Sequence, residues 1–392
     1  MLFTHAQIHT MAGPALADGW LRVADGKIAA LGPMPAPEGD PEIYDCNGMR
    51  MYPGFVDAHT HLGMWEDGLG FEGADGNEET DPVTPQLRAI DGINPMDRGF
   101  AEALAAGITT VVTGPGSANA IGGQLAAVKT YGPCVDDRIV KAPLAIKMAL
   151  GENPKSVYHD QERTPMTRMA TAALIREELF KARRYADDLA RSEAEEDVDP
   201  PEFDMKAEAL LPALRREVQV HFHAHRADDI FTAVRIAREF DLDFVIVHCT
   251  EGYLVADRLQ KAGVRALCGP LLTDRSKPEL RAQTPACPAV LSRAGVPVAI
   301  ITDHPETPAQ YLPLCAGLAV QAGLPEEEAL RAITIEPARI CEIADRVGSL
   351  EVGKDADFAL FPGSPLWNFA KPSLVVAGGE IAVEQGEGGN RI

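Results

Sequence analysis

Short apolar runs alternate with helical patterns through the middle of this chain, and that alternation restricts the fold more than any other feature. The runs are GFVDA, GITTVVT, PLAIKMAL, VQVHFHA, DFVIVH, VRALCG and VPVAIITD. Asp228 to Phe240 shows the helical period between two of them. Ile230, Val234 and Ala237 share one face, and Asp228 and Asp229 suit the positive N-terminal end of a helix. Strands that alternate with helices imply a parallel sheet, because a parallel pair needs a long crossover. At roughly 300 residues the region has the size of a (β/α)₈ TIM barrel, and its expected bounds are 54–345. GQLAAVKT and RIVKAP compete for the third strand.

Both ends of the chain have a different texture. LRVADGKIAALG alternates around an Asp-Gly turn signal, and GKDADFALF and LVVAGGEIAVE look like strands parted by glycine turns. Residues 1–53 and 346–392 are therefore expected to form one small, β-sandwich-like domain. The fold class is α/β, with this composite domain attached to the barrel.

Composition narrows the partners. The formal net charge is −22, which argues against nucleic acid and anionic membranes because polyanions would be repelled. The seven cysteines are dispersed and form no C-x-x-C pair, a pattern expected of reduced thiols in a cytoplasmic protein. MLFTHAQIHT lacks the layout of a secretory signal, and no apolar stretch has the length of a membrane span. A homo-oligomer is compatible with all of this.

The most informative motif is PGFVDAHTHLG. His59 and His61 close an apolar run, and side chains at i and i+2 project to the same side of a strand. Two imidazoles at a strand's C-terminal end lie where barrel enzymes place their sites, and imidazole suits zinc and related divalent ions.

Further along, His223 lies in VQVHFHA, His248 ends DFVIVH and Asp303 ends VPVAIITD. In this order the chain resembles the amidohydrolase superfamily, which places H-x-H on strand one, a bridging Lys or Glu on strand four, single histidines on strands five and six, and an Asp on strand eight. The tail VGSLEVGKDADFALF resembles the start of that family's returning β-domain. The segments HTH, HAHR, VHCTEG and ITDHP look closest to its imidazolonepropionase-related and prolidase-like branch. The resemblance implies a small-molecule substrate and metal ligands at His59, His61, Lys147, His223, His248 and Asp303, holding one or two divalent ions, with zinc expected.

Lys147 can bridge two ions only if carbamylated, since an ammonium would repel them. Glu152 is the alternative carboxylate, and a structural or substrate-binding role for Lys147 also stands. On strand five, His221, His223 and His225 alternate over steps of about 6.6 Å, so one ion cannot reach all three. The family pattern selects His223, leaving His225 at the mouth and His221 as a deeper core residue. His225, Arg226 and His304 are the substrate-binding candidates, and Cys249 is expected to pack. GPGSANAIGGQ either brings backbone N–H groups to a substrate anion or is a flexible turn. The long crossover from Lys147 to His223 carries an acidic turn, RSEAEEDVDPPEFD, expected as a solvated loop, with a lid over the site as the rival.

The implied mechanism is attack by metal-activated hydroxide on an amide-type C–N bond, with Asp303 as general base and then general acid. Peptides, N-acyl amino acids and cyclic amides are compatible, so both a dipeptidase and a hydrolase of other C–N bonds are in view. The rivals are a deaminase of a ring amidine and a non-catalytic barrel scaffold.

Overall fold

The computed structural model describes residues 1–66 and 69–385. Positions 386–392 of the expected composite domain lie outside the described residues. Among the described residues there are two eight-stranded sheets. The first contains both ends of the chain: β1 (Leu2–Ile8), β2 (Leu16–Ala24), β3 (Lys27–Pro33), β4 (Ile43–Asp45) and β5 (Arg50–Pro53). The second is built from β6 (Phe55–Thr60), β7 (Ile108–Thr113), β8 (Ile121–Lys129), β9 (Ile139–Ala149), β10 (Gln219–Ala224), β11 (Phe244–His248), β12 (Ala266–Cys268) and β13 (Val298–Ile300). The chain then returns to the first sheet with β14 (Phe358–Phe361), β15 (Leu374–Ala377) and β16 (Glu380–Glu384).

In the terminal sheet, β14 pairs antiparallel with β5, so the C-terminal strands dock on the N-terminal ones. The Asp-Gly signal does what was expected. Asp25 and Gly26 take φ of 52° and 72°, the left-handed pair that a tight hairpin turn requires between β2 and β3.

The barrel strands follow one another in chain order, β6 to β13. All neighbours are parallel except at β8, which runs antiparallel to both β7 and β9. The expectation of a wholly parallel sheet is corrected here. GQLAAVK and IVKAP do not compete for one strand; the first lies in β8 and the second opens β9. The cause is the short link, residues 130–138. A parallel connection needs about a dozen residues or more, so the chain can only turn back.

Strands β6, β7 and β10 are buried along their whole length, because helices cover the outside while side chains fill the lumen. Val56, Val112, Leu125, Leu144, Val245 and Leu267 form the lumen cluster. On β10, Val220, Phe222 and Ala224 pack among the outer helices. Alternation therefore turns His221 and His223 inward.

No ladder joins β13 back to β6 among the described residues. The gap is closed by side chain and loop. The buried Asp57 carboxylate accepts from the backbone N–H and the hydroxyl of Thr302. Asp303 N–H donates to the His59 carbonyl (3.1 Å), and His61 N–H donates to the His304 carbonyl (2.8 Å).

A buried charge knot fastens the barrel to the terminal sheet. Asp355 meets Lys27 of β3, Lys129 of β8 (2.8 Å) and Arg346 (2.9 Å). Burial alone would raise the Asp355 carboxyl, but these cations outweigh it and bring it down to about 2. A depressed carboxylate stabilises the folded state above its unfolded pKa and ceases to do so as pH falls through the folded value. Solvent screens the exposed Lys27 and Arg346, so Asp355→Asn should cost about 1–2 kcal/mol at neutral pH, with the difference from wild type shrinking between about pH 4 and pH 2. Urea unfolding of both proteins across that range is the measurement, and a pH-independent difference contradicts this origin.

Candidate metal centre

His59 lies near the end of β6, with His61 just beyond it. His223 is near the end of β10, His248 ends β11, and Asp303 follows β13. Lys147 sits in β9 opposite His221 of β10. The barrel thus brings all six expected ligand residues to one end. Five of them fall into two groups of polar atoms: His59, His61 and Asp303 in one, and His223 and His248, joined by His225, in the other.

The first group is compact. Oδ1 of Asp303 lies 3.4 Å from Nε2 of His59 and 3.4 Å from Nε2 of His61. Two ligands of one tetrahedral ion, each about 2.0–2.2 Å from it, are separated by about 3.3–3.6 Å. Backbone carbonyls set the tautomers. Nδ1 of His61 donates to the Gly114 carbonyl (2.7 Å), and Nδ1 of His248 donates to the Gly269 carbonyl (2.7 Å). A carbonyl can only accept, so each Nδ1 carries the proton and each Nε2 keeps a lone pair for an ion. Nδ1 of His225 is hydrogen-bonded to the Thr250 hydroxyl (2.8 Å). Both ring nitrogens of His223 and Nε2 of His225 are buried without a hydrogen-bond partner among the described residues. Buried polar atoms left this way are costly unless something binds them. The donor set fits a divalent metal.

Electrostatics agrees. Burial pushes His59, His223 and His225 well below the usual histidine range and His248 down to about 4, so the rings are neutral. Burial would raise Asp303, but His248, His59 and His61 outweigh it and hold the carboxyl well below the usual carboxylate range. Burial lowers Lys147 to about 8, although Asp303 opposes this, and its Nζ lies 3.1 Å from Nε2 of His59. His221 pairs with Gln219 Oε1 (3.3 Å) below the site, as expected of a core histidine. Cys249 is buried in the core, also as expected.

A cavity of about 480 Å³ opens over these residues, with His61, His223, His225 and Asp303 in its wall. Arg226 and His304 are not among its lining residues. Arg226 is turned to Asp228 (2.7 Å), and the His304 ring accepts the Ala309 N–H (3.2 Å). The acidic turn contributes nothing to the wall, which from that crossover receives Asn153, Ser156 and Val157 of the helix Glu152–Asp160 instead. The glycine-rich segment does reach the cavity through Gly116, Ser117 and Ala118. Two of its N–H groups are spent inside the protein, however: Gly116 donates to the Gly76 carbonyl and Ala118 to Asn77 Oδ1.

Several site residues escaped sequence reasoning. Trp65 stands edge-on to His61, with ring centroids 5.0 Å apart. Lys277 and Glu279 come from the turn after β12. Glu279 is 1% exposed and lies 2.9 Å from the Lys277 ammonium. Its Oε2 accepts the Glu152 N–H (3.0 Å), and Glu152 accepts the Glu279 N–H in return (3.3 Å). Glu152 therefore braces Glu279 rather than meeting the histidines. No strand-end signal marks Lys277 and Glu279, because PLLTDRS separates KPE from the apolar run VRALCG.

These features define a class: barrels whose strand ends assemble a histidine–carboxylate centre ready for a metal. The profile of the Amidohydrolase family matches residues 50–382, and the chain belongs to that superfamily. The crystal structure of an amidohydrolase from Thermotoga maritima MSB8 is similar over 98% of this chain and 100% of that one, with a TM-score of 0.95 and 40% identity. Amidohydrolase tasK of Hapsidospora irregularis is 32% identical over 87% of this chain, and this chain spans 37% of that protein. Imidazolonepropionase of Solibacter usitatus is 26% identical over 90% of each chain.

Gly151 controls how closely the chain passes Glu279. Its φ is +94°, and an added Cβ would lie 2.9 Å from Oε2 of Glu279 and 3.2 Å from Oδ2 of Asp229. Gly353 has nearly the same φ, +93°, with nothing within 4 Å. Gly353→Ala should cost about 1 kcal/mol from backbone strain alone, and Gly151→Ala about 1–3 kcal/mol more. Chemical denaturation of the two variants measures the difference, and equal losses would show that the contact with Glu279 is slack.

Proposed function

We propose that this protein is a metal-dependent hydrolase that cleaves an amide-type C–N bond of a small molecule. The observation that carries the reading is the placement of Asp303. Its carboxylate is equidistant from the Nε2 atoms of His59 and His61 and opens onto the cavity. In this reading the barrel, residues 54–345, holds the chemistry, and residues 1–53 and 346–392 form the composite domain that supports it.

His59, His61 and Asp303 would hold one ion, with His223 and His248 at a second position and Lys147 between them. Zinc is the proposed metal. When bound, it would supply a Lewis acid for the scissile carbonyl and lower the pKa of water to about 7. An ammonium on Lys147 beside His59 would work against this. Addition of carbon dioxide to the neutral amine, with loss of one proton, converts the side chain to an anionic carbamate with oxygen ligands. As a carboxylate beside both imidazoles, Asp303 can accept a proton from the attacking water and pass it to the leaving nitrogen, which cannot depart as an amide anion. His225 and Lys277 in the wall face a bound substrate, and Trp65 covers one side of His61.

Two ligand groups in one site favour amide hydrolysis over deamination of a ring amidine, for which one ion suffices. Every ligand position is filled, which disfavours a scaffold. Dipeptides, N-acyl amino acids and cyclic amides are the substrate classes to screen.

Asp303→Asn is nearly isosteric, so the fold and much of the metal should persist. Turnover on a substrate found by the screen should fall by about two orders of magnitude or more. Metal content, melting temperature and kcat on one preparation make the test. A variant with its metal and full turnover would remove Asp303 from the mechanism, and a wild-type protein that binds no divalent metal would remove the reading itself.

A further inference from the structure

Apart from the histidines, Lys277 is the one residue of the described cavity wall that can carry positive charge. Its ammonium is ion-paired with Glu279 (2.9 Å) and donates to Oδ1 of Asn153 (2.9 Å). Glu279 is 1% exposed and stands outside the wall, whereas 28% of the Lys277 side chain is open. An ammonium has three N–H donors, so one remains for the cavity. Asn153 carries the pattern one step further. An ammonium can only donate, which turns Oδ1 of Asn153 toward Lys277 and its Nδ2 toward Ser117, whose Oγ accepts at 3.0 Å. With Oγ accepting, the Ser117 hydroxyl keeps its own proton to give. All three residues line the cavity, and they come from three places: Ser117 from the link between β7 and β8, Asn153 from the helix after β9, and Lys277 from the loop after β12.

We propose that Lys277 and Ser117 bind a carboxylate of the substrate, one oxygen to each, with Asn153 spacing the two donors. The inference rests on the reading of the site as a metal-dependent amide hydrolase and narrows its substrates to amides that carry a free carboxylate, such as N-acyl amino acids and dipeptides. Cyclic amides without a carboxylate are then poor substrates.

The chemistry of the donors selects a carboxylate. Two donors on either side of one amide suit an acceptor with two oxygens, and a hydrogen bond from an ammonium to an anion is about twice as strong as one between neutral groups. Glu306, the other charged wall residue outside the proposed metal site, follows Asp303 and would repel an anion on that side, which leaves the Lys277 side to receive one. The donors are also held before a substrate arrives. Glu279 pins the Lys277 ammonium and is itself held by the Glu152 N–H (3.0 Å), so little side-chain freedom is left to lose on binding. While no substrate is bound, Glu279 offsets the ammonium's charge and spares the wall an unpaired cation.

The test uses the zinc-loaded protein and matched pairs of compounds: N-acyl amino acids and dipeptides with a free C-terminal carboxylate, and the same compounds as C-terminal carboxamides, followed at the internal amide bond. Uncharged cyclic amides complete the panel. Wild type should favour the acids over the carboxamides in kcat/KM by about 10- to 100-fold, the range expected of a hydrogen bond to a charged group. Lys277→Gln should erase most of that preference by raising KM for the acids, with the carboxamides little changed. Ser117→Ala leaves the Lys277–Glu279 pair in place and should reduce the preference about threefold or more. A loss of packing would lower both members of a pair alike, so the acid-to-carboxamide ratio is the deciding readout. Either variant keeping the wild-type ratio would overturn the proposal. A wild type that cleaves the carboxamides as well as the acids, or only the cyclic amides, would overturn it and leave the functional reading standing. A wild type that cleaves no amide in the panel would remove both.

Discussion

The barrel closes through one carboxylate. Asp57 sits on β6 and reaches across to Thr302, which has left β13, taking both its N–H and its hydroxyl. Without a strand ladder at this seam, these bonds, together with the two backbone bonds beside them, join the first strand to the last. The bonds to Thr302 and His59 favour the ionised form, yet burial dominates and lifts the Asp57 carboxyl to about 7. The geometry of the candidate metal site hangs from this seam. Asp303 is the next residue after Thr302, and its N–H is tied to the carbonyl of His59. Its φ of +55° is left-handed, a conformation that costs a non-glycine residue about 1–2 kcal/mol. The seam bonds offset that cost, and the result is a carboxylate turned back toward His59 of β6 and His61 just beyond it.

The same economy of local bonds governs the histidine layer. A ring buried among other rings has a choice of tautomer, and the choice decides whether it can ligate. Gly114 and Gly269 make that choice for His61 and His248 with carbonyl groups from neighbouring loops. His248 itself has φ of +71°, so its place at the end of β11 depends on the loop that receives it. Loops that look unconstrained in sequence therefore determine the chemistry of residues on strands.

What could be read from the sequence follows from this division. His59, His61, His223 and His248 were legible because period-two alternation and an apolar run determine where a strand ends and which way its side chains face. Asp303 was legible from the same pattern in VAIITD. The direction of β8 was not legible, because alternation is identical in either direction and only the short link to β9 betrays the reversal. Glu279 was hidden because it meets His223 and His225, more than fifty positions away, only across the barrel mouth, with no strand end of its own. Arg226 and His304 lie outside the cavity wall for the opposite reason. They adjoin ligands in sequence, but Arg226 is drawn to Asp228 and the His304 ring to the Ala309 N–H.

The reversed strand also bears on how the chain finds this structure. Parallel neighbours in a barrel must wait for a crossover to fold back, and β9 and β10 are separated by residues 150–218. Strands β7, β8 and β9 are joined by short links and form an antiparallel meander that needs no distant segment. Contacts close in sequence carry a small entropic cost of closure and form quickly. In a topology otherwise dominated by slow, long-range pairing, this meander is a local template on whose β9 edge the next parallel strand can assemble. Lys147 is in β9, so that template would carry the central residue of the proposed metal site before the histidines arrive around it.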